Sequence, residues 1–129
     1  MPADAYAYHL DAAKRLVTVP LSGSVSGARI ASTYTMIYSD AACAEGFDIL
    51  WDGSSITELM FERDDLPSFV RLNQKFASLA SSGRDIILVA RSLDKAMADM
   101  YAVMMRAERR AVHVCLSMGE VRQILDAAP

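Results

Sequence analysis

The stretch Gly46-Phe-Asp-Ile-Leu-Trp-Asp-Gly-Ser-Ser-Ile-Thr57 decides the fold of this chain. Its first part, Phe47 to Trp51, is a short and mostly apolar run of the kind that forms a buried strand. Asp52-Gly-Ser-Ser55 then has the composition of a turn, because glycine tolerates positive φ and the polar side chains bond to nearby backbone N–H groups. A strand that ends in a polar turn is typical of open α/β sheets, whose working residues lie at the carboxyl ends of strands.

The residues before this segment predict a hairpin and a helix. Tyr6 to Leu10 and Leu16 to Leu21 read as two strands, and Pro20 places a bulge, an edge or an end in the second one. Ser22-Gly23-Ser24 predicts a turn, after which Ser26 caps a helix over residues 26–39.

The residues after it alternate between helical and strand patterns. The remaining elements are predicted as a helix from Glu62 to Gly83, a strand at 86–90, a helix at 93–109, a strand at 112–116 and a helix at 118–127. The order β-β-α-β-α-β-α-β-α predicts an α/β fold with a mainly parallel sheet and an antiparallel N-terminal strand. Residues 1–129 are expected to form one domain.

Composition excludes several classes of protein. Of the 129 residues 53% are hydrophobic and 22% are charged, which indicates a folded globular chain. A net charge of −3 gives no basis for binding nucleic acid or an anionic membrane. Met1-Pro-Ala-Asp4 lacks the pattern of a secretory leader and no apolar run is long enough to span a membrane, so a cytoplasmic protein is expected.

Catalysis has one weak candidate. Asp52 with Ser54 or Ser55 could serve a small hydrolase or transferase, provided that a base such as His9 or His113 lies nearby in space. The simpler interpretation of this segment is turn chemistry. The two cysteines form no metal or redox motif, and the glycines form no phosphate loop. The sequence therefore predicts no catalytic residue, no cofactor and no metal site, and favours a protein that is not an enzyme.

Methionine is abundant, with eight residues in the chain, and four of them lie on the predicted helix at 93–109. One stripe of this helix is expected to pack in the core and consists of Leu93, Met97, Met100 and Met104. An adjoining face is a candidate pocket wall, lid or dimer contact and consists of Ala98, Tyr101 and Met105. Met97, Tyr101 and Met105, together with Asp52, Ser54 and Ser55, are the residues proposed to contact a ligand or partner.

The chain resembles the SpoIIAA-like branch of the STAS superfamily, which contains anti-sigma-factor antagonists and the tails of sulfate transporters. The resemblance covers residues 6–125. It is carried by Leu16-Val-Thr-Val-Pro-Leu-Ser-Gly23, Gly46-Phe-Asp-Ile-Leu-Trp-Asp52, Gly83-Arg-Asp-Ile-Ile-Leu-Val-Ala90 and Val112-His-Val-Cys115.

The resemblance implies binding rather than catalysis. Phosphoswitch members carry Asp-Ser-Ser-Gly at a helix start, whereas this chain has Met60-Phe-Glu-Arg63 there, so the phosphorylated serine has no counterpart. The branch is also similar to lipid-transfer domains of the CRAL-TRIO type, and the resemblance implies strands in sequential order. We therefore expect a module that binds a protein partner, a second copy of itself as a homodimer, or a small apolar ligand, with a carrier of lipid-like molecules as one form of this function.

Overall fold

The computed structural model describes residues 4–127, and it consists of a five-stranded mixed sheet with helices on both faces. Residues 1–3 lie outside this range. The expectation that the chain has no secretory leader rests partly on them. The strands are β1 (His9–Asp11), β2 (Leu16–Ser26), β3 (Asp48–Met60), β4 (Arg84–Val89) and β5 (Ala111–Cys115). The helices are α1 (Gly27–Ser39), α2 (Asp65–Lys75), α3 (Ala77–Ala80), α4 (Ser92–Met104) and α5 (Met118–Asp126), and a 3₁₀ turn follows α4 at Met105–Ala107.

The strands lie in sequential order, β1-β2-β3-β4-β5, with β1 antiparallel to β2 and the other neighbours parallel. The predicted α/β class and mixed sheet are confirmed. Ser26 caps α1 as expected, because its hydroxyl accepts the Arg29 N–H at 3.2 Å. Pro20 is followed at once by a shift in the register between β2 and β3, as predicted for a residue that cannot donate to the ladder.

The helices divide the core into two parts on opposite faces of the sheet. Side chains of α1, α2, α3 and α4 pack with Val17, Val19, Ile49 and Trp51 in the larger part. The smaller part lies under α5, where Val121 packs with Leu50, Ile86, Leu88 and Cys115. Residues alternate between these two faces along β4, so Asp85, Ile87 and Val89 point toward the larger part.

Both predicted polar turns are wrong, because Ser22–Ser24 and Asp52–Ser55 continue strands β2 and β3. The two strands stay paired to their ends through two register shifts, whereas β4 pairs with β3 only as far as Gly53. Ser54 and Ser55 are exposed where β4 no longer pairs with β3, so their polarity reflects an open edge of a strand that is still paired with β2 on its other side. A Cβ on Gly53 would come within 2.7 Å of the Leu88 carbonyl oxygen, which explains the need for glycine there.

Two predicted helices are shorter than expected. The helix predicted from Glu62 to Gly83 is interrupted at Phe76, whose ψ of 33° departs from helical geometry while its ring packs 5.4 Å from that of Tyr38. The helix predicted to reach Arg109 ends at Met104 and continues as the 3₁₀ turn. The first strand begins at His9 rather than Tyr6, because the Tyr6 backbone N–H donates to the Thr33 hydroxyl of α1 instead of to a strand.

The expected core stripe of α4 is also wrong, since Leu93, Met100 and Met104 are 64%, 56% and 37% exposed. The buried face is instead made of Asp94, Ala98, Tyr101 and Met105. The sequence predicts Ala98, Tyr101 and Met105 as a pocket wall, lid or dimer contact beside the core stripe, whereas the structure buries this face together with the Asp94 carboxylate, which is paired with Arg91 at 2.9 Å. A polar side chain that is fully bonded can face inward, and hydrophobic spacing alone does not detect it.

Candidate functional site

A polar network lies at the centre of the larger core. Asp85 of β4 is completely buried and accepts three hydrogen bonds. The donors are Arg110 Nε at 3.1 Å, Tyr34 Oη at 2.9 Å and Trp51 Nε1 at 2.9 Å. The parallel register explains the last contact, because Ile49 pairs with Asp85 and Trp51 is therefore its diagonal neighbour on the same face.

Arg110 closes one end of the network and is only 2% exposed. Besides Asp85 it donates to the backbone carbonyls of Phe47, Ala80 and Arg84, at 3.1, 3.1 and 2.9 Å. Burial lowers the pKa of Arg110, but the charge of Asp85 and its hydrogen bond to the guanidinium act in the opposite direction, and the pKa is raised overall, so the guanidinium stays charged. One side chain thus neutralises the buried carboxylate and ties together the starts of β3 and β4 and the end of α3.

The network continues toward α2 and α4 through hydroxyl groups. The hydroxyls of Tyr34 and Tyr101 are 2.9 Å apart, and Asn73 Nδ2 donates to Tyr101 at 3.0 Å. Tyr38 in turn donates to Asn73 Oδ1 at 2.6 Å. Burial, and then the charge of Asp85, hold the pKa values of Tyr34 and Tyr101 well above the ordinary value, so both hydroxyls keep their protons. Within residues 4–127 every buried side-chain nitrogen and oxygen has a hydrogen-bond partner.

An apolar cavity of about 80 Å³ lies beside this network. Its walls come from the carboxyl-terminal parts of β2, β3 and β4 and from α1, α2 and α4, with Phe61 contributed by the connection from β3 to α2. The rings of Tyr34, Trp51 and Tyr101 form the boundary between the cavity and the polar network. The carboxyl ends of parallel strands are where open α/β sheets place their ligands.

One charged side chain, Asp94, lines this cavity. Its two carboxylate oxygens accept from Arg91 at 2.9 and 3.0 Å, and Arg91 also donates to the Thr57 carbonyl of β3. Asp94 is 1% exposed, while the Arg91 side chain is 36% exposed. The carboxylate therefore faces the cavity and the guanidinium lies on its outer side, where it bridges α4 and the part of β3 that β4 does not cover.

The residues predicted from sequence to contact a ligand are distributed over three places. Met97 and Tyr101 line the cavity, and Met105 is 1% exposed within the core. Asp52, Ser54 and Ser55 lie on β3 outside the cavity lining. Asp52 Oδ1 accepts from the Ser54 backbone N–H at 3.1 Å and from its hydroxyl at 2.7 Å.

The two histidines do not lie near each other in the sheet. His9 lies on β1 and His113 on β5, which are the opposite edges of the sheet. Four strand spacings separate them, which corresponds to about 19 Å. Among the described residues no group of three or more His, Cys, Asp or Glu side chains is arranged to hold a metal ion. No helix in the described range is both long and apolar enough to cross a bilayer.

Sequence reasoning missed Asp85, Arg110 and Tyr34 as a group. Asp85 immediately precedes an apolar strand and Arg110 follows a basic helix end, and each position reads as an ordinary boundary charge. Comparison with known proteins adds no assignment: no protein-family model matches the chain, and a search of curated proteins also found no match.

Proposed function

We propose that this chain is a non-catalytic, STAS-like binding module whose site is the apolar cavity at the carboxyl ends of β2, β3 and β4. The observation that carries the proposal is the cavity itself, a space of about 80 Å³ walled by aliphatic and aromatic side chains and by one carboxylate, that of Asp94. Small apolar cavities of this kind stay dry and take up apolar molecules. The sequential strand order agrees with the order that the STAS resemblance implies.

The size of the cavity limits its occupant. A cavity of about 150 Å³ accommodates benzene, so the space here suits a smaller group such as a branched alkyl end. Met97 lines the cavity and is partly exposed, and its unbranched side chain can move to admit a larger molecule. A lipid-like cargo would insert one end of its hydrocarbon chain between α4 and the strands.

Xenon tests the proposal because it is apolar, uncharged and small. The single tryptophan, Trp51, lies in the cavity wall, so its indole N–H resonance reports on an occupant. We expect xenon to shift this resonance in the wild-type chain and in Ala96→Leu, an exposed control on the same helix. Ala98→Leu fills the cavity and should abolish the shift. A wild-type chain whose Trp51 resonance does not respond to xenon contradicts the proposal, and native mass spectrometry of freshly purified protein would reveal a co-purifying cargo.

A protein-contact function is the second candidate, and one observation favours it. The outer side of α4 exposes Leu93, Met100, Val103 and Met104, which form a continuous apolar stripe at helical spacing. We expect sedimentation velocity to show self-association that increases with concentration and is lost in Met100→Lys. A monomer at all concentrations removes the homodimer from consideration and leaves the cavity as the proposed site.

A further inference from the structure

The cavity wall contains hydrogen-bond donors, but all of them are already used. Trp51 Nε1 donates to Asp85 at 2.9 Å, and the Tyr34 hydroxyl donates to the same carboxylate at 2.9 Å. Because Tyr34 has a single proton, the 2.9 Å contact between the two hydroxyls requires Tyr101 to be the donor and Tyr34 the acceptor. The hydrogen-bonding protons of Trp51, Tyr34 and Tyr101 therefore point away from the cavity and into the network.

The remaining hydrogen-bonding capacity at the cavity is that of an acceptor. The tyrosine oxygens retain lone pairs, and the Asp94 carboxylate is the charged group in the lining. The positive end of α4 already has a carboxylate in its first turn, because Asp94 lies there. A carboxylate or phosphate inside the cavity would find no free donor among the lining side chains and would lie beside the Asp94 carboxylate, because the paired Arg91 guanidinium lies on the outer side and not in the lining.

We infer that the cavity excludes anionic headgroups and selects a neutral apolar group, with a hydroxyl as the polar function it tolerates best. This inference rests on the proposed binding function and specifies the chemical class of its ligand. A hydroxyl can donate to Asp94 or to a tyrosine oxygen, whereas a buried anion without a partner is strongly unfavourable. The end of the cargo that enters is therefore the hydrocarbon or alcohol end, and an acid or phosphate group stays outside in water.

A matched pair of probes tests the inference. Isoamyl alcohol and isovalerate share one branched carbon skeleton and differ in that the second is an anion at neutral pH. We expect titration followed at the Trp51 indole resonance to show isovalerate binding at least about tenfold more weakly, a difference of about 1.4 kcal/mol. Asp94→Asn should reduce the discrimination, because it removes the negative charge and leaves Arg91 without its charge partner, and Asp99→Asn, an exposed change on the same helix, should leave it unchanged.

The outcomes separate the two proposals. Equal or tighter binding of isovalerate overturns the inference while leaving an apolar site intact. Binding of neither probe, together with the absence of a xenon shift, overturns both. If xenon binds and neither probe does, the cavity accepts apolar atoms but no alcohol, and the assignment of a hydroxyl-bearing ligand is wrong. Retained discrimination in Asp94→Asn would show that the carboxylate is not its source.

Discussion

Asp85→Asn is the substitution that tests the described core most directly. The wild-type carboxylate accepts from Arg110, Tyr34 and Trp51, and it balances a guanidinium that is 2% exposed. Asparagine has nearly the same shape but no charge, and its amide nitrogen would face a donor instead of accepting from it. Removing one partner of a buried ion pair costs about 3–5 kcal/mol, chiefly because the other charge stays buried without compensation.

This cost is large relative to the stability of a domain of this size. Total unfolding free energies are about 5–15 kcal/mol, so the substitution should remove a third or more of a typical value. The corresponding decrease in Tm is about 10–20 °C. Urea unfolding followed by far-UV circular dichroism is the appropriate assay, because Trp51 fluorescence would change for local reasons.

Asp99→Asn is the matched control. Asp99 forms an ion pair with Lys95 at 2.6 Å, but both side chains are nearly half exposed, and such a pair contributes about 0.3–0.5 kcal/mol. We expect the urea midpoint of this variant to stay close to that of the wild type. A loss below about 1 kcal/mol in Asp85→Asn, with an unchanged denaturant slope, would refute the claim that the buried pair holds the core together.

Three further outcomes are expected. Met105→Ala should destabilise the fold by about 2–5 kcal/mol and Met100→Ala by less than about 0.5 kcal/mol, because Met105 lies in the core and Met100 is exposed. Equal urea midpoints for the two variants would contradict the described orientation of α4. Tyr34→Phe should lower the free energy of unfolding more than Tyr101→Phe, by about 2 against about 1 kcal/mol, because it removes a donor to the buried carboxylate as well as an acceptor. Thermal denaturation of both variants gives the order, and the reverse order would be inconsistent with the network. The pKa of Tyr8 is raised from 10.0 to about 12, mainly by burial and then by its hydrogen bond to a carboxylate, so its contribution to stability is complete below pH 10 and disappears as the pH rises toward 12. Tyr8→Phe should therefore lose less stability at alkaline pH than the wild type, as measured by urea unfolding over a range of pH. An unchanged pH profile would count against this contribution.

The order of elements could be predicted because each one carries a local signal. Alternating strands and helices, the Ser26 cap and the apolar run of β4 all lie within a few residues of the structure that they specify. The turn predicted at Asp52 failed for a non-local reason. These residues continue as a strand because β2 stays paired with β3 as far as Met60, and that pairing is determined by tertiary structure.

The site was less accessible to prediction because its members are distant in sequence. Asp85 bonds to groups that lie 51, 34 and 25 positions away along the chain. These groups come together only because of the register of the parallel strands β3 and β4 and the placement of α1 against them. Tyr101 faces inward on α4 because it bonds to Tyr34 and Asn73, and Asp94 faces inward because it is paired with Arg91, so the buried face of the helix is not the one that its apolar spacing predicts. Local hydrophobicity ranks such residues as surface, so only pairing information would have identified them.

The division of the core by the sheet has a consequence for how the chain opens. The helix α5 packs against the smaller cluster and is also bonded at its Ile124 carbonyl by Arg84, at 3.1 Å, so its amides should exchange with solvent through openings that leave the larger core closed. Cys115 is 1% exposed within that cluster, and burial raises the pKa of its thiol. The rate at which Cys115 is alkylated should therefore follow the undocking of α5 rather than global unfolding. This cysteine is then a chemical probe of the local opening of one helix.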